Sequence, residues 1–240
     1  MTIYKEFSLV YDRLYSPKKY LDLIDEVFPG HSRVIPKPKV LDLGCGTGSF
    51  LLGMYEHGWD ITGLDISAGM LDCAREKFKL KGIPCPLYQK DMADFNIDGV
   101  FNLITSNFDT VNYILDFNQL EKLFKNAYCG LRENGFFAFD VVTKYQAQTF
   151  INSFVKEYED VRLEIVPHYD QVSNIKKIEI DIVNGTNRVK EIHLQKMYDL
   201  SDIERALQLA GFSLFKRISI EGKTRDVKDS STRVYFVAKK

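Results

Sequence analysis

The sequence predicts an α/β fold, a doubly wound and mostly parallel sheet, on the strength of three observations. From Lys39 to Val142 short apolar runs alternate with longer amphipathic stretches, and strands separated by helices give a parallel sheet covered on both faces. A glycine-rich turn, Gly44-Cys45-Gly46-Thr47-Gly48, joins the first apolar run directly to the first helical stretch. Beyond Val142 the rhythm changes to alternating apolar and polar residues, the period of antiparallel strands.

The elements follow in order. Leu21, Ile24, Val27 and Phe28 recur at helical spacing, so a helix packs before the first strand, and proline-rich VIPKPK (34–39) leads into the core. KVLDL (39–43) is a buried strand and Ser49 to Glu56 a helix ended by Gly58. DITGLD (60–65) is the second strand. Ser67 caps the next helix, which carries Met70, Leu71, Ala74 and Phe78 on one stripe and stops at Gly82. PLYQK (86–90) and FNLITS (101–106) are further strands. Phe117 to Cys129 is helical, with Leu120, Leu123, Phe124 and Ala127 along one side, and GFFAFDVV (135–142) is the fifth strand. VRLEIVPHYD, NIKKIEIDIV and RVKEIHLQKMYDL then alternate, with Asn184-Gly185 as a hairpin turn. Residues 153–198 thus read as a small antiparallel β lid, a substrate cap inserted into a core of 1–152 and 199–240. Ser201 and Glu204 form a capping box for a helix ending near Gly211, and SLFKRISI and TRVYFVAKK close the chain as two strands.

Composition narrows the function. A chain of 240 residues can bury one large core with an appendage. Its 32 basic and 33 acidic residues lack the excess of a dedicated nucleic-acid binder. No secretion signal and no membrane span are expected, and four widely spaced cysteines without a CxxC pair suit reduced thiols in a cytoplasmic protein. His31, His57, His168 and His193 do not sit near carboxylates at ligand spacing, so no metal site is expected. His57 reads as a helix-end residue, while His168, His193, Lys176-Lys177 and the lysines near 216–228 read as surface. Asp94 reads as an exposed loop acid.

The glycine turn carries the chemistry. Gly44, Gly46 and Gly48 let the backbone turn sharply and let a ligand approach closely. Asp42 stands two residues before the first glycine, where a carboxylate repels a pyrophosphate but suits an ammonium group. The spacing is G-x-G-x-G rather than the G-x-G-x-x-G of dinucleotide sites. Both features favour S-adenosylmethionine (SAM), which carries no phosphate.

VLDLGCGTG (40–48) resembles the first motif of the class I SAM-dependent methyltransferases. The resemblance covers roughly 1–142 well and 199–240 in outline, and it implies a Rossmann-like methyltransferase fold with an antiparallel terminal strand. It implies SAM as cofactor, with Asp42, Gly44, Cys45, Gly46 and Gly48 at the cradle. Asp65 would accept the ribose hydroxyls, with Ile66 and Met70 beside it. Asp91 would accept the adenine amino group, with Met92 on the ring, and Asn107 and Phe108 would reach the methionine portion. Tyr4, Phe7, Tyr11, Asp12, Leu14 and Tyr15, followed by Tyr20, resemble the N-terminal segment of small-molecule methyltransferases, including the sugar N,N-dimethyltransferases. That resemblance implies Tyr11 and Tyr20, and with less weight Tyr4, beside cofactor and acceptor. The expected activity is methyl transfer to a small-molecule acceptor, at nitrogen, with Tyr11, Asn107, Asp109 and Asp140 orienting the nucleophile. No nucleic-acid or membrane partner is expected. An RNA or protein methyltransferase remains an alternative, although SNFDTVNY (106–113) stands where a D/N-P-P-Y/F motif would mark base methylation. A SAM-binding module without catalysis is another.

Overall fold

The computed structural model describes residues 7–28, 37–96, 101–158, 160–220 and 225–240. Tyr4 and His31 lie outside them. Five strands form the parallel part of the main sheet: β1 (Lys39–Leu43), β2 (Asp60–Asp65), β3 (Leu87–Gln89), β4 (Phe101–Ser106) and β5 (Leu131–Val142). The terminal strands β10 (Ser213–Ser219) and β11 (Arg233–Lys239) add an antiparallel edge, giving the order β10-β11-β5-β4-β1-β2-β3. The chain leaves β1 for β2 on one side and reaches β4 on the other. The ends of β1 and β4 therefore diverge into a crevice, the usual place for a ligand in such a sheet.

Helices cover both faces. Leu23 and Ile24 of α2 (Lys18–Val27), Leu51 and Met54 of α3 (Ser49–Glu56), and Leu71 and Phe78 of α4 (Ala68–Lys81) pack on one side. Leu120, Leu123 and Phe124 of α5 (Phe117–Gly130) pack on the other, together with Ile203 and Leu207 of α7 (Leu200–Ala210). Each such fully buried Leu, Ile or Phe contributes about 1.5–3 kcal/mol. The short helices α1 (Ser8–Leu14) and α6 (Lys144–Thr149) do not belong to these layers. Among the described residues, no helix is long and apolar enough to cross a membrane.

A second, four-stranded antiparallel sheet runs β6 (Phe154–Tyr158), β7 (Val161–Asp170), β8 (Ile175–Asn184) and β9 (Asn187–Lys196) in sequence order. Leu163, Ile165, Ile180 and Ile182 on its inner face pack with Val10 of α1 and with Phe7 just before it. The N-terminal region is therefore two helices rather than one. Pro17 holds the residue before it out of helical conformation, and Tyr15 is extended. Three other expectations need correction. The hairpin loop is Gly185-Thr186, since Asn184 pairs with Asn187. Gly185 has φ 58° at the first central position, as a type II′ turn requires. No capping box forms at α7, which starts at Leu200 with Asp199 before it, and the Asp199 carboxylate goes to Lys144 at 2.7 Å. Strand β5 begins at Leu131 rather than Gly135, and α6 and β6 were not expected at all.

Candidate active site

At the end of β1 the N–H groups of Gly44 and Cys45 both donate to Leu64 O, at 2.7 and 2.9 Å, tying the glycine turn to β2. Gly44 has φ 72°, and a Cβ there would collide with Thr110 Cγ2. Asp65 organises the turn: its Oδ2 accepts from Gly46 N at 2.8 Å and its Oδ1 from Ser67 N at 2.8 Å. Burial pushes the Asp65 carboxyl up, against the pull of those N–H donors. Met70 is buried beneath Gly46, and Ile66 next to Asp65 is exposed. Asp42 is buried and accepts from Thr105 Oγ1 at 2.7 Å. Burial, assisted by the charge of Asp65, raises its pKa to about 7.

Asn107, at the end of β4, is 3% exposed, and neither of its amide atoms has a hydrogen-bond partner among the described residues. A buried amide left unpaired costs about 1–3 kcal/mol, so this one points to a ligand. Asn107, Asp42, Gly44, Cys45, Gly46 and Phe108 line a single narrow cleft of about 30 Å³, across which Tyr11 and Tyr15 lie. A carboxylate, an open amide and a backbone that no Cβ obstructs suit the charged amino-acid end of SAM, while Asp65 suits hydroxyls next to it. Helix α1 is latched over this cleft by Asp12, which accepts from Thr47 Oγ1 (2.5 Å), Ser49 Oγ (2.8 Å) and Lys77 Nζ (2.6 Å). Burial pushes Tyr11 well above the ordinary phenol value and Tyr15 up to about 12, so both remain proton donors at neutral pH.

Beyond Asn107, Phe108 and Asp109 have φ of 59° and 52°, two consecutive side-chain-bearing residues in the left-handed region. Such strain persists only where the surroundings over-determine it. Asp109 N donates to Asp140 Oδ2 at 3.0 Å. The Asp109 carboxylate meets Arg233 at 2.7 Å and accepts from Gln195 Nε2. Arg233 also pairs with Asp140 and donates to Tyr20 OH at 3.2 Å, and the Tyr20 ring lies 4.4 Å from that of Phe108. Burial alone would lower Arg233, but Asp109 and Asp140 outweigh it and hold it above its ordinary value. Burial likewise pushes Asp140 up, with Arg233 opposing.

Between the second sheet and these strand ends lies a cavity of about 780 Å³. Tyr11, Tyr15 and Phe108 line both this cavity and the cleft. Its polar lining includes two residues, His193 and Lys176, that sequence reasoning put on the surface. His193 is buried, with Nδ1 2.9 Å from Tyr113 OH and Nε2 3.1 Å from Glu191 Oε2. An ionised Glu191 requires a proton on Nε2, which leaves Nδ1 to accept from Tyr113; this tautomer is assigned from the network. Glu191 Oε1 accepts from Phe7 N at 3.3 Å. Lys176 is also buried, whereas Lys177 is half-exposed against Glu179 at 2.6 Å. The surface readings of His193 and Lys176 fail for one reason: β9 turns Glu191, His193 and Gln195 inward and leaves Ile192 and Leu194 exposed. The pairing of Lys176 with Gln195 then puts the lysine on the same inner face. His168 is exposed and His57 follows the end of α3, both as expected.

The other residues selected from the sequence lie around these two spaces: Tyr20 and Asp140 belong to the Arg233 network, and Asp91 follows the strand paired with that of Asp65. Gly48 caps α3 beneath Phe78. Tyr20 lines the cavity and not the cleft. Asp140 has no exposed surface. Asp91 is exposed beyond β3 with Oδ1 accepting from Ala93 N at 2.8 Å, and Met92 is half-buried against the α5 side of the core. Asp94 is exposed and pairs with Lys122. Among the described residues no group of three or more His, Cys, Asp or Glu side chains could hold a metal ion.

Residues 40–135 match a family described as a methyltransferase domain. The chain is 30% identical to a putative methyltransferase, YqeM, of Bacillus subtilis (strain 168), over 99% of this chain and 97% of that protein. It is 25% identical to a dTDP-3-amino-3,4,6-trideoxy-alpha-D-glucopyranose N,N-dimethyltransferase of Streptomyces venezuelae, over 75% of this chain and 77% of that one. The crystal structure of a S-adenosylmethionine-dependent methyltransferase from Clostridium acetobutylicum ATCC 824 superimposes with a TM-score of 0.85 at 27% identity, covering 98% of each chain.

Proposed function

The chain belongs to the SAM-dependent methyltransferase family, and on that premise we propose that it methylates a small-molecule acceptor at a nitrogen atom. The observation that carries this reading is the cavity of about 780 Å³ adjoining the glycine cleft through Tyr11, Tyr15 and Phe108. Its size falls within the range of about 300–1,000 Å³ for small-ligand sites. The Streptomyces venezuelae relative, named for N,N-dimethylation of an amino sugar, supports nitrogen. Residues 153–198 serve as the substrate cap on a core of 1–152 and 199–240.

SAM, when bound, supplies a methyl group on a positively charged sulfur. Asp42 and Asn107 hold its amino-acid end, and Asp65 accepts the ribose hydroxyls with lone pairs left over from Gly46 and Ser67. Tyr11 and Phe108 separate cleft from cavity and exclude water, which leaves the protein mainly a positioning task. Asp140, bonded to Arg233 and the Asp109 N–H, acts by fixing Asp109 rather than by meeting the acceptor. The proton shed by the methylated nitrogen passes to Tyr113 Oη as the Tyr113 proton moves to His193 Nδ1, and Glu191 stabilises the resulting imidazolium. A screen of small amines and hydroxylated metabolites for S-adenosylhomocysteine release tests the reading. Amines should turn over and EDTA should not slow them; turnover confined to alcohols, RNA or protein would overturn it.

The Asp42 carboxyl gives the cofactor site a pH dependence of known sign. With its pKa raised to about 7 in the free protein, Asp42 is protonated below that pH and must ionise to pair with an ammonium. SAM affinity should therefore rise by up to about tenfold per pH unit as pH climbs towards about 7, then level off. Asp42→Asn should be weaker at high pH and flat below. Calorimetry across that range in the absence of acceptor checks it, and pH-independent binding by the unaltered protein would refute it.

A further inference from the structure

We propose that Lys176 determines acceptor specificity by pairing with an acidic group, a carboxylate or a phosphate, carried by the acceptor. This inference deepens the small-molecule amine reading and rests on it. Lys176 is 6% exposed, projects from the inner face of β8 and lines the cavity. Its Nζ donates to Gln146 Oε1 at 2.8 Å, a neutral acceptor. An ammonium carries three donors, and among the described residues the hydrogen bond recorded for this one is the bond to Gln146. Buried charges are ordinarily paired, because desolvation without a counter-charge costs several kcal/mol.

Among the described residues, Asp109 is the carboxylate of the cavity lining. Its field reaches Lys176, but its oxygens are engaged by Arg233 and Gln195. Asp140 is engaged by Arg233 and Glu191 by His193. Arg233 is in turn satisfied by two carboxylates and cannot readily serve an incoming anion. Among the described residues, Lys176 is thus a buried cationic group of the cavity lining with donors left for a ligand, whereas Lys19, also in the lining, is exposed. Burial holds Lys176 below the ordinary lysine value while Asp109 opposes, and an acidic ligand group would further favour the charged form. Lys176 and the Tyr11–Phe108 partition sit on different elements of one cavity. The acceptor then has two ends, a nucleophilic nitrogen at the partition and an acid at Lys176.

Matched amines test this: glucosamine, its 6-phosphate and the corresponding 2-amino uronic acid, assayed for S-adenosylhomocysteine release with the full chain. One acidic member should be preferred. Lys176→Gln and Lys176→Met should each reduce its kcat/KM by about tenfold to about a hundredfold, mostly through KM. Both should leave the neutral amine within about twofold, and Lys176→Arg should recover part of the loss. Whether phosphate or uronic acid suffers identifies the source of the charge. Preference for the neutral amine, or equal losses on all three, overturns the proposal. Titration of the SAM-saturated protein with inorganic phosphate and with acetate, read at the Lys176 ammonium by NMR, is independent of turnover. A saturable shift with either ion, lost in Lys176→Gln, supports the proposal, and no shift with both overturns it. Ion binding without turnover of any amine would sink the nitrogen reading alone.

Discussion

An Arg233→Ala variant is expected to lose about 3–5 kcal/mol of stability at neutral pH, the effect of removing one partner of a buried ion pair. Arg233 reaches from β11 across β5 to Asp140, which has no exposed surface, and to Asp109 on the strained turn. Without the guanidinium two neighbouring carboxylates face each other with no counter-charge. The sign of the pH dependence follows from burial, which already raises Asp140 above the ordinary carboxylate value of 3.8. In the variant the raising is larger, so the folded state holds a proton that the unfolded chain releases. Stability therefore falls as pH climbs from the unfolded value through the folded one, and the deficit is smallest below both. Urea unfolding at about pH 5 and about pH 8 should show the gap widening with pH. Asp140→Asn added to Arg233→Ala should narrow it at the higher pH. A deficit that is the same at both pH values would contradict this account.

The same residues show what the sequence could and could not tell. The parallel sheet was legible because β1 and β4 are buried on both faces and read as short, mainly apolar runs, while α4 and α5 carry their apolar stripes at helical spacing. The cofactor loop was legible because it is local: Asp42, Gly44 and Gly46 lie within five residues and need only the strand before them. The acceptor side was not, because it is built from pairs far apart in sequence, such as Arg233 with Asp109 and Lys176 with Gln146. Alternation identifies β9 as a strand but does not say which face is inward. The common assumption of an apolar face turned to the core failed where a cavity of mixed lining, not a core, lies beneath His193 and Gln195. Pro17 was a visible signal for the break between α1 and α2. Nothing local announced that α1 would pack on the second sheet.

Gly44→Ala should cost about 2–5 kcal/mol and abolish measurable SAM binding, through two separable causes. An L side chain at φ 72° carries a penalty of about 1–2 kcal/mol. The added Cβ also drives into Thr110 Cγ2, with Thr110 Oγ1 at 3.1 Å, an overpacking cost of about 1–3 kcal/mol. Thr110 cannot simply turn away, since its Oγ1 donates to Asn107 O at 2.7 Å. Moving it shifts Asn107, whose open amide faces the cleft, and loosens the Phe108–Asp109 turn that walls the cavity. Thr110→Ser removes the colliding methyl and keeps the hydroxyl. A double-mutant cycle should therefore show coupling, with Thr110→Ser recovering about 1–2 kcal/mol of the Gly44→Ala loss and part of the SAM affinity. The remainder, the backbone term, should persist in both backgrounds. Chemical denaturation and calorimetry on the four proteins separate the two terms. Strictly additive losses would mean that Thr110 gives way freely, and that the glycine is required for its backbone conformation alone.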